Sequence, residues 1–154
     1  MSDDVNAGHL FPADITAAFP VLVRGEGVYV WDEQGKRYLD GAAGIAVVNI
    51  GYGRREVAEA IAQQAERLPY CAPNLFRNQP AMLLAERLVE FTPAGLNHFY
   101  FVSGGSEAIE VAIKIARQYQ VARGKASKYQ VIARWTSYHG ASLGALSATG
   151  HLGR

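Results

Sequence analysis

The spacing of hydrophobic and polar positions changes several times along the chain, and each spacing predicts an element. Residues 21–40 alternate short apolar runs with glycine-containing turns, which predicts a small antiparallel meander. Apolar residues recur at helical spacing over residues 54–68 and again over residues 78–92, which predicts two amphipathic helices. Pro69 ends the first helix, and Pro80 lies in the first turn of the second, where proline is favoured.

The second half of the chain has the pattern strand, helix, strand. Residues 97–102 and 129–135 are predicted strands. Apolar side chains surround most of the helix that begins at Ser106 and that Gly124 ends. We therefore expect that helix to be buried on several sides, with an ion pair between Glu110 and Lys114 on its polar strip. A crossover of this length implies parallel pairing in an α/β sheet, so the loops after both strands should meet at one crevice.

The turn after the first of these strands has the sequence Ser103-Gly104-Gly105-Ser106, which favours an anion. The first turn of a helix has backbone N–H groups without acceptors, and the peptide dipoles place partial positive charge there. Two glycines let a ligand approach the backbone, and both serine hydroxyls can cap the helix or donate to a phosphate oxygen. The turn alone leaves two interpretations open, a phosphate site or a capped strand-to-helix connection.

The composition is that of a globular protein and argues against several partners. The chain has 154 residues, of which 49% are hydrophobic and 19% charged, enough for a domain with a core. A net charge of +1 with scattered basic residues argues against nucleic acid. The longest apolar run, residues 41–50, is too short for a membrane, and the acidic N-terminus does not resemble a secretory signal. We expect a soluble, cytoplasmic protein.

The cysteine and most histidines suggest no further chemistry. Cys71 is the single cysteine, which excludes an intrachain disulfide framework, and no histidine lies near it in sequence. A packing role is therefore expected for this thiol. His9, His98 and His151 lack the spacing of metal ligands, and no metal site is predicted.

Several motifs in order resemble the class III aminotransferases, which have the pyridoxal-phosphate fold type I. The resemblance is carried by residues 101–108, 113–117 and 138–140, and by the upstream segments 27–32, 38–41 and 49–53. It implies an incomplete α/β fold that corresponds to roughly the first third of a family member. Residues 1–53 would be the antiparallel meander of the small domain with a pocket-lining linker, and residues 54–154 the first strands and helices of the large α/β/α domain.

The resemblance implies cofactor contacts at the glycine-rich turn. The backbone N–H groups of Gly105 and Ser106, with the Ser106 hydroxyl, would hold the phosphate of pyridoxal 5'-phosphate. Ser103 and Gly104 belong to the same cofactor-binding turn. Family members more often have serine where this chain has Gly104, so one hydroxyl donor is absent here.

Further site residues follow from the same resemblance. Tyr138 would stack on the pyridine ring, the alternative for a single tyrosine being core packing. His139 is either a group that orients the cofactor contacts or a buried histidine. Substrate contacts would come partly from the segment containing Ile45 and Ala46. Some amine-accepting members have a bulky aromatic residue in place of Ala46, which implies a wider pocket here.

The Schiff-base lysine of a transaminase has no counterpart in this chain. Lys114 lies on the same helix as Ser106 but roughly 12 Å along its axis, away from the phosphate end. Lys36 belongs to a hairpin turn, and Lys125 and Lys128 precede their strand at its amino end, opposite the crevice. We therefore assign no catalytic residue and expect the chain to be inactive alone.

Three functions remain open at this point. A transaminase would move an amino group from an amine or ω-amino acid to a 2-oxo acid, and members of the family are homodimers. Aminomutases, racemases and decarboxylases share the same cofactor architecture, and downstream residues would discriminate them. A non-catalytic interaction module derived from such an enzyme would use its apolar surface for assembly.

Overall fold

The computed structural model describes residues 9–10, 17 and 19–150. The acidic N-terminal residues 1–6 and His151, which were part of the sequence analysis, lie outside the described residues. The chain divides into two units, residues 1–77 and residues 78–154. The domain boundary expected after residue 53 concerns the fold of complete family members and stays a prediction.

The first unit contains the predicted meander. Strands β1 (Leu22–Glu26), β2 (Tyr29–Asp32) and β3 (Arg37–Leu39) form a three-stranded antiparallel sheet in the order β1-β2-β3. Arg24 pairs with Trp31 across the first two strands, and its guanidinium carbon lies 3.6 Å from the indole centroid. This cation–π contact adds a cross-strand interaction to the backbone ladder.

The turn between β2 and β3 is organised by the Asp32 carboxylate, which is only 2% exposed. Its Oδ1 accepts hydrogen bonds from the N–H groups of Gln34 at 3.0 Å and Lys36 at 2.9 Å. Its Oδ2 accepts the Tyr38 hydroxyl at 2.7 Å. The Tyr38 hydrogen bond, helped by the two backbone donors, lowers the pKa of Asp32 although burial opposes this. Asp32 therefore stays charged and holds the turn.

The glycine-rich segment after β3 forms a left-handed turn, α1 (Ala43–Ala46). Its φ angles are all positive, 48°, 58°, 61° and 61° along the chain. The turn is closed by hydrogen bonds from Ala46 N–H to Ala42 O at 2.8 Å and from Val47 N–H to Ala43 O at 2.9 Å. A left-handed conformation costs a non-glycine residue about 1–2 kcal/mol, so surrounding contacts must stabilise this turn.

The Asp40 carboxylate supplies these contacts. It accepts the N–H groups of Ala42 at 3.1 Å and Gly44 at 2.7 Å, and the Tyr52 hydroxyl at 2.7 Å. The Tyr52 hydrogen bond is the main cause that lowers the pKa of Asp40 and raises the pKa of Tyr52. The carboxylate therefore remains ionised and ties the strained turn to Tyr52.

Tyr52 is in turn fixed to the sheet. Its backbone exchanges two hydrogen bonds with Gly27, at 2.8 and 3.1 Å. A Cβ atom on Gly25 would lie 2.5 Å from Cγ of the Tyr52 ring, so only glycine permits this approach. The backbone of Tyr52 therefore lies directly against Gly27, and its ring lies against Gly25 of β1.

The helices predicted from apolar periodicity are present. Helix α2 (Arg55–Arg67) lies in the first unit, and α3 (Gln79–Val89) and α4 (Gly105–Ala122) lie in the second. The second unit also contains a short helix that was not predicted, α5 (Leu143–Ala148). Asn78 caps α3 by accepting the N–H of Ala81 at 2.9 Å, which confirms the predicted start. Across residues 9–10, 17 and 19–150, the structure contains no helix with the length and apolar character that crossing a bilayer requires.

Two expectations for the second unit are wrong within the described residues. Residues 97–102 and 129–135 form no β-ladder, and α4 has no buried residue. Ile132 in the second of these segments is 98% exposed. A strand of a parallel sheet requires neighbours for its backbone groups, and no described residue supplies them here.

Ala43→Gly should stabilise the first unit, because glycine adopts a φ of 48° without steric cost. Strain relief of about 1–2 kcal/mol exceeds the added unfolded-state entropy of about 0.5–1 kcal/mol, so we expect a net gain of about 0.5–1 kcal/mol. Urea denaturation followed by Trp31 fluorescence, in a Trp135→Phe background, measures it. The control Ala60→Gly in α2 should lose about 1 kcal/mol. Destabilisation by both substitutions would contradict the left-handed turn.

Candidate functional site

The start of α4 presents open backbone donors. Gly104 is the N-cap, in an extended conformation, and no side chain caps the helix. The first intrahelical hydrogen bond runs from Ala108 N–H to Gly104 O at 3.0 Å. The N–H groups of residues 105–107 therefore have no acceptor within the described chain. A side chain on Gly105 would meet nothing within 4 Å, so the space beside this turn is open.

Ser106 joins α4 to the segment that contains Gly140. Its Oγ accepts the N–H of Ala141 at 3.0 Å, which leaves the hydroxyl hydrogen for another acceptor. A Cβ atom on Gly140 would lie 2.7 Å from Ser106 Oγ and 2.9 Å from its Cα, and Gly140 has a φ of +141°. Only glycine combines this backbone conformation with so close a contact. The two predicted loops therefore converge, through side-chain and backbone contacts.

Glu110 makes a second contact between α4 and the start of α5, one helical turn further along α4 than Ser106. Its Oε1 accepts the Ser142 hydroxyl at 2.7 Å and the N–H groups of Gly144 at 2.7 Å and Ala145 at 3.2 Å. The Ser142 hydrogen bond, followed by the two backbone donors, lowers the pKa of Glu110 below its ordinary 4.5. The expected ion pair with Lys114 is wrong, because this carboxylate instead satisfies the start of α5.

The end of α5 closes this segment on itself. The hydrogen bonds that do so are His139 N–H to Thr149 Oγ1 (3.0 Å), Thr149 Oγ1 to Ala145 O (2.9 Å) and Gly150 N–H to Ser137 O (3.0 Å). Residues 137–150 thus form one hydrogen-bonded unit, which we name the α5 loop. The α5 loop contacts α4 at Ser106 and at Glu110.

Tyr138 and His139 lie in the part of the α5 loop next to Gly140. The Tyr138 side chain is exposed, whereas His139 is half-buried. The Nε2 atom of His139 is buried and has no hydrogen-bond partner among the described residues. Because a buried polar atom without a partner is costly, this atom fits a site that an external group completes.

Ile45 and Ala46, assigned to a substrate pocket by resemblance, lie in the left-handed turn α1 of the first unit. Both are exposed, Ile45 by 88%. A cavity of about 510 Å³ in this unit is lined by neighbouring residues such as Val48 and Ile61, and by neither of these two. Strained backbone is typical of functional segments, but the pocket role of both residues stays a prediction.

The sequence analysis missed Glu110 and Thr149 as residues that shape the site. Glu110 follows Ser106 by four positions, so helical geometry places both on one face, and this signal was available. The partners of Ser106 and Glu110 lie more than thirty residues away along the chain and have no local signature. Arg117 was also missed: its buried Nη1 lacks a partner among the described residues, and it lines a cavity of about 530 Å³ with residues 127–132.

Comparison with known proteins points to one family. The family described as aminotransferase class-III matches residues 11–153. A probable aminotransferase of Mycobacterium tuberculosis is 50% identical over 131 residues, which are 85% of this chain and 28% of that protein. The putrescine–pyruvate aminotransferase of Pseudomonas aeruginosa is 38% identical over 133 residues, which are 84% of this chain and 29% of that protein.

The fold is similar as well. The crystal structure of an (S)-enantioselective omega-transaminase from Thermomicrobium roseum matches with a TM-score of 0.86 and 49% identity. The match covers 93% of this chain and 33% of that one. The chain thus spans about a third or less of the length of these relatives.

Gly140→Ala should separate the α5 loop from α4, because the new Cβ would lie 2.7 Å from atoms of Ser106 and Ala145. We expect hydrogen exchange of the Ala141 amide to accelerate at least about tenfold. Gly95→Ala is the matched control, since Gly95 also has a positive φ but its Cβ would meet nothing within 4 Å. Unchanged exchange at Ala141 in the Gly140 variant would contradict the close contact.

Proposed function

The chain belongs to the class III aminotransferases, and on that premise we propose that it binds pyridoxal 5'-phosphate at the start of α4. The N–H groups of Gly105 and Ser106, with the Ser106 hydroxyl, hold the phosphate, and Ser103 and Gly104 complete this phosphate-binding turn. The observation that carries the proposal is the double role of Ser106. It lies among unpaired helix donors, and its hydroxyl also contacts the loop that contains Tyr138.

Features of the described residues fit this cofactor. Unpaired N–H groups and the helix dipole match a phosphate dianion, and two glycines leave the backbone accessible. Tyr138, 53% exposed, offers a ring that can stack on a flat heterocycle, worth about 0.5–1.5 kcal/mol beyond burial. The buried Nε2 of His139 lacks a partner that a bound group could provide. We assign His139 to orienting the cofactor contacts.

We propose transamination between an amine or ω-amino acid and a 2-oxo acid as the reaction. When bound, the cofactor supplies an electron sink for the carbon that exchanges its amino group. This chain fixes the phosphate through its phosphate-binding turn and the ring plane through Tyr138. Ile45 and Ala46 contact the substrate, and the small Ala46 leaves room for its substituent. The Pseudomonas relative, named for putrescine and pyruvate, supports this substrate class.

Assembly and location belong to the same proposal. Members of the resembled family are homodimers, and exposed apolar residues of α4 such as Ile115 and Tyr119 are compatible with a protein interface. We propose a homodimer for the full-length form, in the cytoplasm.

Binding of pyridoxamine 5'-phosphate tests the proposed site, because this probe has the phosphate and the ring but no aldehyde that surface lysines could capture. We expect it to shift the amide NMR signals of Gly105 and Ser106, and phosphate-free pyridoxamine to bind far more weakly. Ser106→Ala should weaken binding about tenfold or more, since a hydrogen bond to a charged group contributes about 1.5–3 kcal/mol.

Ser147→Ala is the matched control, because this hydroxyl bonds only to Leu143 O within α5. It should leave the affinity unchanged. Equal binding of pyridoxamine and its phosphate ester would contradict a phosphate site at the start of α4.

The chain alone should not catalyse transamination, because none of its lysines lies at the phosphate-binding turn. With an amine donor, pyruvate and pyridoxal 5'-phosphate, we expect alanine to form no faster than in a protein-free blank, measured by chromatography. The sequence has four lysines, at positions 36, 114, 125 and 128. Turnover that one lysine-to-alanine substitution abolishes would overturn this prediction and identify the substitute.

A further inference from the structure

We propose that Glu110 is a positioning residue that holds the Tyr138 segment of the α5 loop against the phosphate-binding turn. This inference rests on the proposed function and extends it to a carboxylate one helical turn away from Ser106. It assigns Glu110 no contact with the cofactor.

Helix α5 needs an anchor at its start. It has six residues, too few for an isolated helix to be stable in water, and its N-cap Ser142 makes no side-chain cap within its own helix. Glu110 Oε1 is the acceptor instead, at 2.7 Å from Ser142 Oγ and Gly144 N and 3.2 Å from Ala145 N. Because the cap comes from α4, the position of α5 depends on α4.

Gly144 makes room for this carboxylate. A Cβ atom at this position would lie 2.9 Å from both Cδ and Oε1 of Glu110, closer than side-chain atoms ordinarily approach. Glycine inside a helix lowers the helix propensity relative to alanine. The short helix thus has a residue that weakens its own propensity but admits the contact with Glu110.

Further contacts of α5 connect its anchored start to the backbone beside Tyr138. Ala145, fully buried, lies 2.7 Å from where a Cβ on Gly140 would stand, so Gly140 packs directly on α5. At the end of α5, Thr149 Oγ1 accepts the N–H of His139, the residue next to Tyr138, at 3.0 Å. Gly140, which precedes α5, and Thr149, which follows it, thus both hold the backbone beside Tyr138 in place.

The contact at Ser106 is weaker than the one at Glu110. It is a single hydrogen bond from the exposed Ala141 N–H to a neutral hydroxyl oxygen. Glu110 accepts from three donors with a charged oxygen, and hydrogen bonds to charged groups are roughly twice as strong. Among the described residues, no other carboxylate bonds to the α5 loop.

Two substitutions test this role from opposite sides. Glu110→Ala removes the acceptor, whereas Gly144→Ala keeps the charge, strengthens the propensity of α5 and displaces the carboxylate. In both variants, we expect amide exchange at Ala141 and Ala145 to accelerate at least about tenfold while α3 keeps its protection. Glu110→Gln retains an acceptor oxygen and should restore part of the protection.

The control is Glu86→Gln on α3, an exposed carboxylate without a hydrogen bond in the described part of the chain. It should leave the exchange of the α5 loop unchanged. If exchange at Ala145 is also unchanged in Glu110→Ala and Gly144→Ala, Glu110 does not anchor the loop and the proposal is wrong.

Ligand-binding measurements distinguish a positioning role of Glu110 from a general role in folding. Inorganic phosphate reports on the phosphate-binding turn alone, and pyridoxamine 5'-phosphate reports on the turn together with Tyr138. We expect Glu110→Ala and Gly144→Ala to weaken binding of the second probe about two- to tenfold, the range that ring stacking supplies, and to leave phosphate affinity unchanged.

Any other titration result contradicts either the positioning role of Glu110 or the proposed function. Equal loss of both probes, or unchanged affinity for pyridoxamine 5'-phosphate, would overturn the positioning role of Glu110. A wild-type chain that binds neither probe would refute the proposed function, whereas the exchange experiment would still decide whether Glu110 anchors the α5 loop.

Discussion

The contact between α4 and the α5 loop is the interaction on which the candidate site depends. Ser106 and Glu110 lie one helical turn apart on α4, and together they accept four hydrogen bonds from residues 141–145. Without Glu110, the partly buried N–H groups of Gly144 and Ala145 would lose their acceptor among the described residues. The same face of α4 therefore carries Ser106, the proposed phosphate ligand, and fixes the loop beside it.

Carboxylates organise the first unit in a similar way. Asp32 satisfies the turn between β2 and β3, and Asp40 holds the left-handed turn α1 through backbone donors and Tyr52. Among the described residues, the buried hydrophobic side chains are only Val30 and Ala145. In the first unit, each of these two carboxylates thus fixes a turn by accepting several hydrogen bonds.

Each of the two units contains some of the residues to which a role is proposed. Phosphate binding and ring stacking need a helix start and a nearby aromatic side chain, and both lie in the second unit. The left-handed turn with Ile45 and Ala46 belongs to the first unit. The family identification from ordered motifs is confirmed.

The sequence by itself determined the elements whose causes are local. The meander, α2, α3 and α4 follow from apolar spacing, proline and asparagine caps, and glycine turns, which act over a few residues. Only the tertiary structure revealed that Glu110 accepts hydrogen bonds from the start of α5 and that residues 43–46 form a left-handed turn. It also showed that residues 97–102 and 129–135 form no β-ladder. These depend on partners far along the chain, and a strand or a carboxylate adopts the pairing its neighbours offer, which local propensity does not encode.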